Sequence, residues 1–389
     1  MAQARVGIVG AGLAGLNAAR YLKNKGLESV IFEASDRVGG RVTSDYIDGY
    51  ICDRGFQVIN PAYAELKETG ILPDLEIRAL PKGLEINTGA GISRIGDARS
   101  SLSYLPALLS PKSGALGEKL AFLRYLIGKS EDVDFATAME GCGSLYLTTL
   151  KPFLDGVVLG DVGEISNRVV RELIHWFIKG EPGLVRGGAK VLSEALASSL
   201  EVRLNNHVEQ VGKHHLILNG EREEFDAIIV AASPRFSARL LGIEPVPMNS
   251  CITWYHSAPK GIIEERHLRV ALKSPILNSV VLSNTAPEYA PTNRSLIATT
   301  SSKELSELEL VAEMERIWGR NLEDLELIKR YSIVDALPRK IAGSALVDSN
   351  RLESGVYVAG DWRAIPAQQG ALLSGRLAAM AVIADLSAR

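Results

Sequence analysis

Residues 5–15 read RVGIVGAGLAG, in which a short apolar run passes directly into a glycine-rich turn. Apolar residues then recur at helical spacing from Leu13 to Lys25, and Gly26 supplies a stop signal. Residues 29–33, SVIFE, are a second apolar run of the kind that fills a buried strand. Strand, helix and strand in this order predict a βαβ unit with a parallel sheet, so the chain opens as an α/β fold.

The glycines of this turn have the spacing G-x-G-x-x-G that binds dinucleotides. Gly10 permits the tight turn, Gly12 lets the backbone approach a pyrophosphate, and Gly15 lets the helix pack closely on the strand. The helix start presents unpaired N–H groups and a positive dipole end to phosphate. Glu33 ends the second strand, where a carboxylate accepts a hydrogen bond from a ribose hydroxyl. The predicted contacts of this segment are Gly10, Gly12, Leu13, Ala14, Gly15 and Glu33.

A second loop follows at residues 33–41, which read EASDRVGGR. Gly39 and Gly40 again bring bare backbone to a phosphate, and Arg37 and Arg41 place bidentate cationic donors beside it. The pattern E-x-x-x-R-x-G-G-R resembles the flavin amine oxidase and phytoene desaturase superfamily, whose members carry it after the glycine turn. The resemblance implies FAD rather than NAD. It adds to the predicted contacts Ala34, Arg37, Gly39, Gly40 and Arg41.

The other end of the chain is similar to the closing flavin motif of the same superfamily. Residues 355–379 read GVYVAGDWRAIPAQQGALLSGRLAA. The resemblance puts Asp361 at a strand end near the ribityl hydroxyls. It also predicts a helix from about Gly370 whose positive end faces the ring, where reduction places negative charge. Val208 resembles a residue on the strand whose backbone meets adenine. The remaining predicted contacts are Val208, Gly360, Asp361, Gln369, Gly370 and Ala371.

The resemblance covers nearly the whole chain and implies two domains. One is a Rossmann-like FAD-binding domain, and the other is an inserted substrate domain of mixed sheet and helices. The FAD-binding domain is predicted from residues 1–75, 195–245 and 345–389, and the substrate domain from residues 76–194 and 246–344. The implied chemistry is hydride transfer from a substrate C–H bond to flavin N5, with FAD held non-covalently.

Two departures from the amine oxidases of this superfamily bear on the substrate. Those enzymes have a lysine before the strand that here reads CITWYH and an aromatic cage residue before the last helix, positions that match Ser250 and Ala367. The cage holds an amine for C–H cleavage, so its loss favours a small apolar substrate of alkene type. Gln57, in the motif DRGFQV that resembles a turn near the ring, is hypothesised to act there with Arg363 and Gln368. These side chains would polarise the substrate or hydrogen-bond the flavin edge.

Three other functions stay open. The first is a flavin amine oxidase, and the second is a redox-neutral flavin isomerase of a polyene or a fatty acid. The third is a non-enzymatic binder of lipid or prenyl groups with the same fold. The segment GD…QGA argues against the third, because a binder without FAD has no use for it.

Composition and charge exclude other classes. With 46% hydrophobic residues and a net charge of −3, the chain lacks the basic face that nucleic acid requires. Cys52, Cys142 and Cys251 form neither a disulfide framework nor a metal site, so we expect no metal and a reducing, cytoplasmic compartment. The first residues lack the pattern of a signal peptide. The Leu-rich residues 101–128 predict helix, turn and helix as a cover over the substrate pocket, with peripheral membrane contact as the alternative.

Overall fold

The computed structural model describes residues 4–89, 91–96, 101, 104, 114–129 and 131–388. The β-strands of these residues are β1 (Arg5–Val9), β2 (Glu28–Phe32), β3 (Ser44–Ile47), β4 (Tyr50–Asp53), β5 (Ile77–Ala79), β6 (Gly83–Asn87), β7 (Ile92–Gly96), β8 (Gly183–Val185), β9 (Glu201–Arg203), β10 (Val208–Val211), β11 (His215–Leu218), β12 (Glu221–Glu224), β13 (Ala227–Val230), β14 (Met248–Pro259), β15 (Leu268–Ala271), β16 (Ile276–Val281), β17 (Arg294–Ser301), β18 (Glu326–Pro338) and β19 (Tyr357–Val358). The α-helices are α1 (Leu13–Asn24), α2 (Ala64–Glu68), α3 (Leu116–Ile127), α4 (Phe135–Ala138), α5 (Gly143–Leu145), α6 (Lys151–Val158), α7 (Asn167–Lys179), α8 (Lys190–Ala197), α9 (Pro234–Leu241), α10 (Glu307–Trp318) and α11 (Gln368–Ser387). Short 3₁₀ segments cover Leu72–Asp74, Glu140–Cys142, Val162–Glu164, Leu282–Asn284, Pro287–Tyr289 and Asp361–Arg363, and a π-helical segment covers Tyr146–Leu150.

The glycine-rich turn lies at the carboxyl end of a five-stranded parallel sheet with the order β19-β13-β1-β2-β9. Val6 and Ile8 on β1 and Ile31 on β2 are fully buried on the face that α1, α8 and α11 cover. The opposite face, which includes Val30 and Phe32, packs on a small antiparallel sheet of β10, β11 and β12. Helix α1 begins at Leu13, directly after the turn, and packs beside α11 and α8. The α/β architecture predicted from the sequence is confirmed.

The strands of this sheet come from distant parts of the chain. β1 and β2 belong to residues 5–32, β9 and β13 to residues 201–230, and β19 to residues 357–358. The fold therefore brings the two ends of the chain and a middle segment to one sheet. The domain boundaries given above stay a prediction.

A second, mixed sheet has seven strands in the order β18-β14-β17-β16-β15-β6-β7. Neighbouring strands are antiparallel except β15 and β6, which run parallel. Helix α10 packs on one face through buried residues that include Met314 and Trp318. The other face packs on the hairpin of β3 and β4, where the Tyr255 hydroxyl on β14 donates to the Asp53 carbonyl at 2.8 Å.

Helices α3 to α7 form a separate apolar cluster around Phe135 and Val169. The predicted helix, turn and helix of residues 101–128 is represented by α3, whereas residues 102–103 and 105–113 lie outside the described residues. Helix α3 buries Tyr125 against the cluster. Its exposed apolar residues, here called the α3 stripe, are Leu116, Leu120, Leu123 and Ile127.

Helix α11 has 20 residues and a mean hydropathy of 1.4, so by length and composition alone it could span a membrane. It nevertheless packs along α1, with Leu372, Ala378 and Val382 buried. A Cβ on Gly375 would lie 2.1 Å from the Ala14 carbonyl oxygen, so glycine is what lets the two helices approach. One side of the helix is thus packed in the protein interior. Helix α11 begins at Gln368, slightly earlier than predicted.

Candidate active site

A cavity of about 1360 Å³ lies between the two sheets and the helical cluster. Common small-molecule sites measure ~300–1,000 Å³, so this one has room for more than one ligand. Its glycine-lined half is formed by Gly10, Gly12, Leu13, Ala14, Glu33, Ala34, Gly39, Gly40, Arg41, Gln57, Val208, Gly360, Asp361, Trp362, Gln368 and Ala371. Its apolar half is formed by Asn60, Tyr63, Leu80, Lys82, Leu84, Ile95, Phe122, Thr149, Leu150, Phe153, Gly156, Val157, Leu173, Trp176, Phe177, Leu268 and Asn278.

The three glycines of the first turn have different roles. Gly10 has a φ of +102°, and a Cβ there would lie 2.8 Å from the Ala231 carbonyl oxygen. A Cβ on Gly12 would meet nothing within 4 Å, so this residue opens on the cavity. A Cβ on Gly15 would lie 2.0 Å from the Gly10 carbonyl oxygen, so this glycine permits the helix to pack on the turn. The first shapes the turn, the second faces the cavity and the third packs.

The second loop docks on the first at the end of β2. The Gly39 N–H donates to the Ala11 carbonyl at 2.8 Å. Glu33 bridges the loops, because its Oε2 accepts from the Ala11 N–H at 2.8 Å and its Oε1 from the Ser35 N–H at 2.9 Å. The carboxylate of Glu33 is thereby fixed at the edge of the cavity.

An ion pair joins this loop to the C-terminal segment. Arg41 Nη2 donates to Asp361 Oδ1 at 2.6 Å, and its Nη1 donates to the Ala336 carbonyl at 2.8 Å. Asp361 is buried, and its direct ion pair with Arg41 offsets the cost of burying its charge. One guanidinium therefore holds together three segments that are distant in the sequence.

Two glutamines meet at the start of α11. Gln368 Nε2 donates to the Val58 carbonyl at 3.2 Å and to Gln57 Oε1 at 3.4 Å. Gln57 Nε2 donates in turn to the Arg41 carbonyl at 3.4 Å. These bonds fix both amides on the cavity wall.

A buried carboxyl group, Asp53, lies four residues before Gln57. Asp53 Oδ1 accepts from the Ser44 hydroxyl at 2.6 Å and from the Ala189 N–H at 2.9 Å. Burial raises the pKa of Asp53 to about 6, although these two hydrogen bonds act in the opposite direction. Gly55 follows with a φ of +90°, which turns the chain toward the cavity.

The model of one protein family, the flavin containing amine oxidoreductases, matches residues 13–383. This chain belongs to that family. It is a flavin-dependent oxidoreductase, as the sequence motifs predicted. Family membership also sets aside the non-enzymatic binder.

Curated relatives of this flavin-containing amine oxidoreductase differ in their substrates. The chain is 39% identical over 269 residues to "Lysine-specific histone demethylase 1B homolog" of Caenorhabditis elegans, covering 59% of this chain and 32% of that protein. It is 23% identical over 259 residues to "Polyamine oxidase 3" of rice (Oryza sativa subsp. japonica), covering 58% and 50%. It is 29% identical over 194 residues to "Coproporphyrinogen III oxidase" of Bacillus subtilis, covering 41% and 37%. The matches thus span half or less of each relative.

Solved structures of the same fold match over nearly the full length. An oxidoreductase from Methanosarcina mazei has a TM-score of 0.77 at 18% identity, covering 98% of this chain and 100% of that chain. Putrescine oxidase bound to putrescine has a TM-score of 0.73 at 19% identity, covering 100% and 99%. These likenesses show the fold.

The glycine-lined half has unmet polar groups that a flavin suits. Gln368 Oε1 and Trp362 Nε1 are buried on the cavity wall and have no hydrogen-bond partner among the described residues. A ligand with polar edges would satisfy them. The starts of α1 and α11 open on the same half, so two positive dipole ends face it. The residues present therefore fit the cofactor of the family.

Some predicted contacts lie outside the cavity. Arg363 packs on the Trp362 ring and donates to the Ser349 carbonyl, so it points away from the site. Arg37 pairs with Asp36 and Asp45 at the surface. The other three lie in packed regions, and they are Gly15, Gln369 and Gly370. Gln369 accepts the Glu65 N–H at 3.1 Å, and a Cβ on Gly370 would lie 1.9 Å from the Ile365 carbonyl oxygen.

The two departures from the amine oxidases also have a place in the structure. Ser250 is exposed and its hydroxyl donates to the Val334 carbonyl, whereas Ala367 lines the cavity.

Two residues that line the cavity, Trp362 and Asn278, were not among the site residues predicted from the sequence. Trp362 directly follows Asp361 and lies inside the closing flavin motif, so the motif could have predicted it. Asn278 lies in an apolar strand that carries no motif.

Proposed function

We propose that this chain binds FAD non-covalently and removes hydride from a C–H bond of a small apolar molecule. The observation that supports this is the distribution of charge in the cavity. Its charged lining residues are Glu33, Arg41, Lys82, Arg239 and Asp361. Only Lys82 belongs to the apolar half, and it is paired with Glu181 at 3.3 Å. Among the described residues a charged substrate finds no free counter-charge there, whereas a neutral apolar one gains from burial.

The glycine-lined half supplies the groups that would hold FAD. The bare backbone of Gly12 and Gly40 and the start of α1 suit the pyrophosphate. Glu33 suits a ribose hydroxyl, and Val208 suits the adenine. The start of α11 suits the negative charge of a reduced ring. When bound, the flavin supplies the hydride-accepting chemistry.

The protein's own contribution is orientation and exclusion of water. Phe153, Phe177 and Leu268 surround the substrate space with apolar surface, which keeps water from the reacting bond. Gln57 and Gln368 place two hydrogen-bonded amides on the wall of the glycine-lined half. Such a reaction needs positioning more than acid or base catalysis.

An anaerobic spectrum with candidate substrates tests this function. We expect the flavin bands of the purified holoenzyme to bleach with apolar alkenes and polyenes and to persist with simple amines. Bleaching by amines alone would identify an amine oxidase instead. Product formed without consumption of any electron acceptor would identify a redox-neutral isomerase.

Non-covalent attachment has its own test. His207 is the histidine that lines the cavity in the described part of the chain, and its ring packs edge-on against Phe236 on the Val208 side. None of the three cysteines lines it. Acid precipitation should therefore leave the yellow colour in the supernatant. Colour in the protein pellet would contradict the proposal.

For localisation we propose the cytoplasm, with reversible contact to lipid through the α3 stripe. The free state of the three cysteines agrees with a reducing compartment. Flotation with phosphatidylcholine vesicles tests the contact, and it should be lost in the double variant Leu120→Glu, Leu123→Glu. Equal flotation of the wild type and the double variant would show that the α3 stripe does not make the lipid contact.

A further inference from the structure

Two polar atoms of the apolar half are buried without a hydrogen-bond partner among the described residues. They are Trp176 Nε1 and Asn278 Oδ1. Asn278 is the more enclosed of the two residues, being only 4% exposed. A buried amide of this kind is unfavourable in an apolar wall unless something completes its hydrogen bonds. Its position on the cavity wall points to a ligand.

Ser279, the polar residue next to Asn278 on β16, has its hydrogen bonds satisfied within the protein. Ser279 faces α10, where its hydroxyl accepts from Trp318 Nε1 at 3.0 Å and pairs with the Thr299 hydroxyl at 2.9 Å. Asn278 is one residue earlier on β16 and therefore faces the opposite side, toward the cavity. On β16, the side chain that faces α10 is hydrogen-bonded within the protein, whereas Asn278 Oδ1 on the cavity face has no partner among the described residues.

Helix α6 lies against the carboxamide on one side. A Cβ on Gly156 would lie 3.1 Å from the Leu277 carbonyl oxygen and 3.4 Å from Asn278 Nδ2. The backbone of α6 thus closes on the amide with no side chain between them. Phe153 and Val157 of the same helix line the cavity with apolar surface. The carboxamide of Asn278 therefore lies beside the apolar side chains that α6 contributes to the wall.

We propose that Asn278 is a specificity-determining residue, whose carboxamide binds a neutral hydroxyl or N–H group of an otherwise apolar substrate. This inference rests on the proposed function, since it concerns the same half of the cavity. A carbonyl oxygen accepts from either donor. A charged group is disfavoured because Lys82, the charged residue of this half, is already paired.

Three probes separate the hydroxyl from the apolar chain: octanol, methoxyoctane and octane. Binding is measured with the holoenzyme by perturbation of the flavin absorbance, which requires no turnover. We expect octanol to bind about tenfold more tightly than methoxyoctane, which lacks the donor. Asn278→Leu should abolish this preference and retain binding of octane. The melting temperature of the variant should stay the same or rise, because no protein hydrogen bond is lost.

Ser279→Ala is the matched control on the same strand. It removes the partner of Trp318, so it should lower the melting temperature and leave the preference for octanol intact. Equal binding of octanol and methoxyoctane, or a preference that survives Asn278→Leu, would overturn the role of Asn278 alone. A marked fall in the melting temperature of Asn278→Leu would also overturn it, since the amide would then be structural. If none of the three probes binds, the proposed function fails as well.

Discussion

The glycine-lined half and the apolar half of the cavity satisfy their polar groups in different ways. In the first, Glu33 is bonded to two backbone N–H groups, and Arg41 and Asp361 are bonded to each other. In the second, Asn278 is buried among apolar walls without a partner in the described part of the chain. The charged groups of the first half are therefore paired before any ligand arrives, and the unpartnered atoms Gln368 Oε1 and Trp362 Nε1 remain for one constant cofactor. In the apolar half, a ligand is selected by its shape and by very few polar groups, which suits a neutral substrate.

The largest expected effect is at the open glycine of the first half. Gly12→Val would put two methyl groups into the space that the pyrophosphate needs, and we expect FAD affinity to fall on the order of 1,000-fold. The protein should still fold, because a Cβ on Gly12 meets nothing within 4 Å. The ratio of flavin to protein absorbance after gel filtration measures this.

Gly117→Val is the control, since a Cβ on Gly117 also meets nothing within 4 Å but the residue lies on exposed α3. It should retain its flavin. A Gly12→Val protein that stays yellow at full occupancy would show that the cofactor lies elsewhere.

The next effect concerns the pH dependence of stability that Asp53, a buried carboxyl group behind the cavity-lining residue Gln57, contributes. Asp53 contacts Ser44 and Ala189, and the Tyr289 hydroxyl donates to its Oδ2 at 3.4 Å. Burial raises its pKa from 3.8 to about 6, so folding favours the protonated form. This stabilising contribution is complete below the unfolded pKa and is lost as the pH rises through 6. It amounts to on the order of 2–3 kcal/mol.

Asp53→Asn isolates this contribution. The variant should melt below the wild type at pH 5, and the difference should shrink or reverse at pH 8. Melting curves of both proteins between these values measure it. Parallel pH profiles would mean that Asp53 is ionised in the folded protein across the whole range.

The glycine-lined half could be predicted from the sequence because its geometry is set by the backbone. Gly10, Gly12, Gly39 and Gly40 occur at spacings that only a few turn geometries satisfy, and all four line the cavity. Side chains that depend on a distant partner could not be predicted this way. Arg363 is next to the motif, yet the Ser349 carbonyl and the Trp362 ring draw it away.

The apolar half has no such signal. Asn278 lies on the cavity wall because of the register of β16 in the sheet and because α6 packs beside it. The residues next to Asn278 in the sequence predict neither of these. A sequence such as ILNSVV predicts a buried strand but does not predict which face of the strand borders a cavity. The fold was therefore more predictable than the substrate side of the site.

An intermediate effect separates two arginines of one motif. Arg41→Met removes the ion-pair partner of buried Asp361, so we expect FAD affinity to fall on the order of tenfold. Arg37→Met removes only ion pairs near the surface, which contribute little, and should leave FAD affinity unchanged. Titration of FAD into both apoproteins measures this. Equal losses in the two variants would place Arg37 in the site after all.

The smallest expected effect compares neighbouring glutamines at the start of α11. Gln368→Leu removes the unpartnered Oε1 from the cavity wall, and we expect FAD affinity to fall about threefold to tenfold with the loss of one hydrogen bond. Gln369→Leu is the same change one residue later, where Oε1 accepts the Glu65 N–H. It should lower the melting temperature and leave FAD affinity unchanged. Asn278→Leu, in the apolar half, should also leave FAD affinity unchanged. If Asn278→Leu weakened FAD binding as much as Gln368→Leu, the two halves would form one continuous cofactor site, and the apolar walls would no longer indicate the substrate.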